Sequence, residues 1–134
     1  MVIDTSALVA ILRNEPERPM FIEALEATDS RRMSTATFVE ISMVIEAKRG
    51  AEGLRDLDLF LATAGVDLVA VDSEQAHVGR RAFSRFGRGR HRAALNYGDC
   101  FSYALAMVVG EPLLFKGDDF GHTDVEPVDL SSFS

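Results

Sequence analysis

Met1-Val2-Ile3-Asp4-Thr5-Ser6-Ala7-Leu8-Val9-Ala10-Ile11-Leu12-Arg13 opens the chain, and its reading decides the fold. Met1-Val2-Ile3 is a brief apolar run of the kind that forms a buried strand. Asp4-Thr5-Ser6 ends it. Any of those three can cap a helix over residues 7–13, because a side-chain oxygen at that position accepts otherwise orphaned amide protons. A strand that passes at once into a helix begins an alternating pattern, and the rest of the chain continues it.

Pro16 and Pro19 punctuate the next turn, and residues 20–27 read as a second helix. Met33-Ser34 has the look of the tail of a weak strand. Thr35 or Thr37 opens a helix to Arg49, with Gly50 as its C-terminal cap. Leu54, Leu57 and Leu61 give helical spacing over 54–64, closed by Gly65. Residues 66–71 are rich in β-branched side chains and roughly alternate, which predicts a strand. Asp72 or Ser73 caps a helix over 74–86, and Gly87 and Gly89 make a basic loop. Asn96 caps a strongly apolar helix over 97–109, ended by Gly110. Pro112 introduces a last buried strand, Leu113-Leu114-Phe115, and a short strand follows near 125–128. Strands alternating with helices predict an α/β fold, a mostly parallel sheet of four or five strands covered on both faces. No linker or repeat interrupts the pattern, so residues 1–134 read as one domain.

The bulk composition narrows the function class. A chain of 134 residues, 47% hydrophobic and 26% charged, has the make-up of an ordinary soluble globular protein. It buries roughly two-thirds of its unfolded surface without disulfide staples. Its one cysteine, Cys100, excludes an internal disulfide framework and suits a reducing, cytoplasmic setting. The apolar run from Val2 to Leu12 contains Asp4 and has no basic leader, so it reads as neither a signal peptide nor a membrane span. A formal net charge of −7 argues at first against binding a polyanion. The distribution argues otherwise: Arg80, Arg81, Arg85, Arg88, Arg90 and Arg92 gather six of the fourteen basic residues in one stretch, together with His91.

Four acidic positions stand out against this background. In parallel α/β sheets ligands bind beyond the carboxyl ends of the strands, and Asp4 and the Asp118-Asp119 pair both lie just past a predicted strand. Glu40 has Ala36, Thr37, Met43 and Val44 three and four residues away, an apolar or neutral helical face where a carboxylate is costly without a compensating partner. Asp99 begins an almost uncharged helix. Each acid also has a purely structural reading. Asp4 serves as a helix cap, Asp99 as half of a capping box, Glu40 as an acid at the edge of the buried stripe, and Asp118-Asp119 as turn residues. Together they read differently, because carboxylates about 5 Å apart repel by roughly 3 kcal/mol at an effective dielectric of about 20. Such a cluster calls for a cation. Oxygen ligands without His or Cys suit Mg²⁺ or Mn²⁺ rather than zinc, which fits phosphodiester hydrolysis with the arginine stretch steering the polyanion. His77, His91 and His122 lack metal-ligand spacing and read as surface or hydrogen-bonding residues, and Cys100 as a small core residue.

Val2-Ile3-Asp4-Thr5-Ser6-Ala7, the Glu40 helix, the run from Arg90 to Ala104 that contains Asn96-Tyr97-Gly98-Asp99-Cys100-Phe101, and Leu113-Leu114-Phe115-Lys116-Gly117-Asp118-Asp119-Phe120 resemble the VapC toxins of bacterial VapBC toxin–antitoxin pairs. The resemblance spans essentially the whole chain in order. It implies the PIN fold, a three-layer α/β/α arrangement, and a Mg²⁺- or Mn²⁺-dependent endoribonuclease blocked by a cognate VapB-like antitoxin. It further implies a homodimer, with the apolar helices at 20–25 and 54–64 available for both interfaces. Asp4, Glu40 and Asp99 fall on the family's first three acids. Many relatives carry the fourth where this chain has Gly117, so the role passes to Asp118 or Asp119, with Asp119 favoured because it precedes the matching Phe120. Thr5 or Ser6 and Asn96 resemble residues that orient the carboxylates, while Arg85, Arg88, Arg90 and Arg92 are the expected RNA contacts. A receiver domain would need paired acids after the first strand, and a haloacid-dehalogenase-type phosphatase would need Asp where Ser6 stands. A degenerate PIN domain that binds RNA or a partner without cleaving is the non-catalytic alternative.

Overall fold

The computed structural model describes residues 1–133. β1 (Val2–Ile3) leads directly into α1 (Thr5–Leu12), with Asp4 as the cap between them. α2 (Arg18–Ala27) starts with Pro in its first turn, where the missing N–H costs nothing. β2 (Arg31–Ser34) and α3 (Thr35–Ala64) follow, then β3 (Val66–Val69), α4 (Ser73–Phe86), α5 (Tyr97–Val109) and β4 (Leu113–Leu114). A single 3₁₀ turn covers Phe120–His122.

The four strands are all parallel, in the order β3-β2-β1-β4. The pleat sends successive side chains to opposite faces. Ile3 and Leu114 pack into one core with Leu8, Phe21, Met33, Ile41 and Leu57, and Val2 and Leu113 into the other with Phe86, Leu95, Tyr103 and Leu105. The sheet is therefore the middle of three layers, as the sequence pattern requires. The chain builds outward from β1 through β2 to β3, then returns to add β4 on the far side of β1. Order reverses between β1 and β4, and the crevice at their carboxyl ends is where such folds bind ligands. Asp4 and the loop containing Asp118 and Asp119 flank it.

Two expectations need correction. The weak strand tail at Met33-Ser34 is the end of a full four-residue strand. Arg31 and Arg32 disguise its start; their heads leave the sheet to reach Leu25 O and Thr28 O, and Glu111, respectively. The short strand expected at 125–128 reduces to one bridge between Leu113 and Pro127, because Pro has no N–H to continue a ladder. Gly50 ends the first stretch of α3 as expected. It breaks α3 with φ 58° and ψ −150°, and a second helical stretch follows at once.

That backbone conformation is essentially restricted to glycine. An added Cβ at Gly50 would meet nothing within 4 Å, so any cost of substitution is purely conformational. Gly50→Ala is expected to lower unfolding stability by about 1–3 kcal/mol, read by urea denaturation. A loss below a few tenths would mean that the break simply relaxes into a continuous helix.

Candidate metal centre and active site

Asp4 sits at the end of β1 and is 3% exposed. Its Oδ2 accepts from the Ser6 backbone amide at 3.0 Å and from Ser6 Oγ at 2.7 Å, which is the helix-cap geometry. Its Oδ1 accepts from Ser102 Oγ at 2.6 Å. Ser102 has one proton and gives it to Asp4, so the 3.2 Å contact between Thr37 Oγ1 and Ser102 Oγ has Thr37 as the donor. Two buried hydroxyls thus form a relay from α3 through α5 to the first acid.

Glu40 projects from the first half of α3. Its Oε1 accepts from Thr5 Oγ1 at 2.5 Å. Its carboxyl group lies against Gly98 in the first turn of α5, so closely that an added Cβ there would stand 2.6 Å from Glu40 Cδ. Gly98 is needed for this approach. Glu40 is half-buried rather than core-facing: its neighbour Val39 and Met43 one turn on are exposed, while Thr37, Ile41 and Ile45 face the interior.

Asp99 and Asn96 form a reciprocal capping box. The Asp99 amide donates to Asn96 Oδ1 and the Asn96 amide to Asp99 Oδ2, both at 2.9 Å. Burial pushes the Asp99 carboxyl up to about 6, against the lowering effect of the Asn96 amide, and the fields of Asp4, Asp119 and Glu40 push the same way. The field of Asp119, from the loop after β4, thus reaches Asp99. Asp119 opens the 3₁₀ turn without a capping bond of its own, and Phe120 behind it is buried.

Among the described residues no three acids, histidines or cysteines stand close enough to make a finished metal cage. Asp4, Glu40 and Asp99 are instead each tied to a hydroxyl or amide. That is how ionised carboxylates are held near one another against mutual repulsion. The donor set is all oxygen, and Asp4 Oδ1, which accepts one bond, keeps acceptor capacity beyond it. These residues fit a hard divalent cation.

Thr5, Ser6 and Asn96, expected to orient the carboxylates, bond Glu40, Asp4 and Asp99 respectively. Sequence reading missed Ser102, Thr37 and Gly98. Ser102 and Thr37 did carry a signal, as hydroxyls three residues from an acid on helices otherwise facing apolar cores. Of the expected RNA contacts, Arg88, Arg90 and Arg92 are exposed on the 87–95 loop, which is closed by a bridge between Gly87 and Leu95. Arg90 lies over the Phe83 ring at 5.4 Å. Arg85 differs. It pairs with Asp124 at 3.4 Å and stacks on Phe86. His91 accepts from the Ala93 amide and His77 contacts Ser73 O, so both have local hydrogen-bonding roles. Cys100 is a buried core thiol, its pKa raised by desolvation to about 11.

The PIN-domain family model matches residues 1–126. Ribonuclease VapC30 of Mycobacterium tuberculosis is 58% identical over 130 residues, covering 97% of this chain and 99% of that protein. The chain belongs to the VapC ribonucleases of the PIN-domain family. Ribonuclease VapC of Mycolicibacterium smegmatis is also 58% identical, over 96% of this chain and 99% of its own length. Among solved structures, Mycobacterium tuberculosis VapC20, described as a sarcin-ricin loop cleaving toxin, superposes with TM-score 0.76 at 12% identity. It covers 95% of this chain and 97% of its own. DNA-bound VapBC from Salmonella typhimurium gives 0.76 at 16% identity, over 96% and 95%. At such identities the likeness speaks for the fold alone. Ribonucleases of this family depend in general on a divalent metal.

The raised Asp99 pKa has a thermodynamic consequence. An acid whose pKa rises on folding, here from 3.8 to about 6, binds more protons in the folded state, so its charge opposes folding as pH climbs through that window. The cost is absent below about pH 4 and complete above about pH 6. In metal-free protein Asp99→Asn, which keeps an acceptor for the cap, is expected to stabilise by about 1–2 kcal/mol at pH 8, a partly solvated carboxyl giving less than its full shift. The gain should vanish near pH 4. Denaturation in EDTA at both pH values checks this, and a destabilised variant at pH 8 would contradict it.

Proposed function

We propose that this VapC ribonuclease is the toxin of a toxin–antitoxin pair, an endoribonuclease that hydrolyses RNA phosphodiester bonds with Mg²⁺ or Mn²⁺ held by Asp4, Glu40, Asp99 and Asp119. The observation that carries the reading is the field at Asp99, to which acids from β1, α3 and the loop after β4 all contribute. When bound, the cation would activate a water and stabilise charge building on the phosphate. The chain's own side chains do the positioning. Ser6 and Ser102 fix Asp4 at the crevice floor, Thr5 turns Glu40 toward the same opening, and Asn96 holds Asp99 at the helix end. The exposed loop with Arg88, Arg90 and Arg92 is the proposed grip on the RNA backbone. Arg85, committed to Asp124, contributes less.

The proposed inhibitor is a VapB-like antitoxin. A cleft of about 420 Å³ between α2 and the second half of α3, lined by Ile22, Leu25, Phe60 and Arg31, suits an apolar segment of such a partner. An antitoxin arginine among the carboxylates would compete with the cation through a bidentate pair. For a homodimer the exposed Val39, Met43 and Tyr97 offer a better face than α2, and they lie beside Glu40 and Asp99. Among the described residues no helix is long and apolar enough to cross a membrane. We place the protein's action in the cytoplasm, where its RNA substrate is.

Purified, antitoxin-free protein is expected to cleave structured RNA only with Mg²⁺ or Mn²⁺. Glu40→Gln, Asp99→Asn and Asp119→Asn should each cost on the order of 100-fold in rate, and Asp118→Asn much less. Full activity of Asp99→Asn would sink the nuclease assignment of these acids. Arg88→Glu and Arg90→Glu should weaken RNA binding while Mn²⁺ binding persists, measured by filter binding and calorimetry. Unchanged RNA affinity in both would reduce the stretch to a solvated surface.

A further inference from the structure

Lys116 is bonded at both ends, and to different elements. Its backbone N–H donates to Ser6 Oγ at 3.0 Å, and Ser6 Oγ in turn donates to Asp4 Oδ2 at 2.7 Å. Its ammonium donates to Glu15 Oε1 at 2.9 Å and stands 3.2 Å from Glu17 Oε1 in a second ion pair. Glu15 and Glu17 belong to the turn between α1 and α2, about a hundred residues away along the chain. The next residue, Gly117, takes φ 102°, a glycine conformation with open space where a Cβ would be. A permissive pivot therefore separates Lys116 from Asp118 and Asp119.

We propose that Lys116 is a positioning residue, strapping the loop after β4 to Glu15 and Glu17 so that Asp119 is held against Asp4 and Asp99 and the group binds a divalent cation tightly. This rests on the metal-dependent reading above. Asp4, Glu40 and Asp99 are each fixed by a hydroxyl or amide, but Asp119 makes no capping bond, so its place must come from the loop. Phe120 anchors that loop on one side by burial, and Lys116 anchors it on the other. Lone exposed ion pairs contribute little. Here one ammonium serves two carboxylates, so its side chain is ordered once for both contacts. The pairing is mutual: hydrogen bonding to Lys116 lowers the Glu15 pKa, and that to Glu15 and Glu17 raises the pKa of Lys116.

The sign of the effect separates a strap from a bystander charge. A nearby cation repels Mn²⁺, so removing a bystander lysine tightens metal binding. Removing a strap loosens it. Calorimetric Mn²⁺ titration of the full chain, without RNA, compares wild type with Lys116→Met, Lys116→Arg, the Glu15→Gln/Glu17→Gln pair and the triple variant. Lys116→Met is expected to weaken Mn²⁺ binding by about 10-fold, as loss of an outer-shell partner does, and Lys116→Arg to recover most of it. The Glu pair should weaken it similarly, and the triple variant no further, because all of them break one interaction. In EDTA, hydrogen exchange of the amides at 116–120 should speed up in Lys116→Met. Unchanged or tighter Mn²⁺ binding in folded Lys116→Met, or unaltered exchange, overturns the strap. Asp99→Asn run in parallel keeps the two readings apart. Mn²⁺ binding retained there would overturn the metal site itself, and the exchange measurement would still decide on the strap.

Discussion

Repulsion between like charges is the constraint around which this protein is arranged. Asp4, Glu40, Asp99 and Asp119 come from four separate elements; burial pushes the Asp99 carboxyl up to about 6, and the fields of the other three add to it. Among the described residues no ion pair reaches any of the four. Three of the four are held by hydroxyls and amides, while Lys116 and Phe120 flank the loop of the fourth. The two apolar cores on either face of the sheet supply the stability that this arrangement opposes. Val2 and Ile3, adjacent residues facing opposite cores, carry Asp4 to its place. This PIN-domain ribonuclease of the VapC kind is therefore a well-packed scaffold with an acidic crevice, and in the proposed reading a divalent cation would offset that field.

The structural and functional readings of the acids turn out to be compatible. Asp4 caps α1 through Oδ2 and Asp99 closes a capping box through Oδ2, yet both take part in the acidic group. A carboxylate has more acceptor sites than a cap requires. The cap fixes one oxygen in space, which pre-orients the other, so the local helix chemistry does part of the site's positioning. Glu40 has no cap to serve and depends on Thr5 and on the bare backbone of Gly98.

Net charge misleads for a similar reason. The chain is acidic at −7, and part of that charge lies in the crevice, where the metal would go. The arginines beyond α4 form a separate exposed loop. Opposite signs are thus segregated on one molecule, a distribution suited to a polyanion that must approach a cation-filled crevice.

Much of this was legible in the sequence. Alternating apolar runs and caps determined the α/β layers, because the periods of strand and helix and the chemistry of their ends are local properties of a few residues. Asp4, Glu40 and Asp99 were legible as well, each an acid at a strand end or on an apolar helix. The strand at Arg31–Ser34 was half hidden, since its arginines are accommodated only by carbonyls and an acid from distant segments. Ser102, Thr37 and Lys116 act through contacts across 65 to 110 residues of chain, and Gly98 through the space a missing Cβ leaves, and no local pattern encodes those. The acids themselves are written in the sequence. How closely they are brought together, and that the field of Asp119 reaches Asp99, follows only from four elements meeting at the reversal of the sheet, because electrostatic fields depend on distance in space and not along the chain.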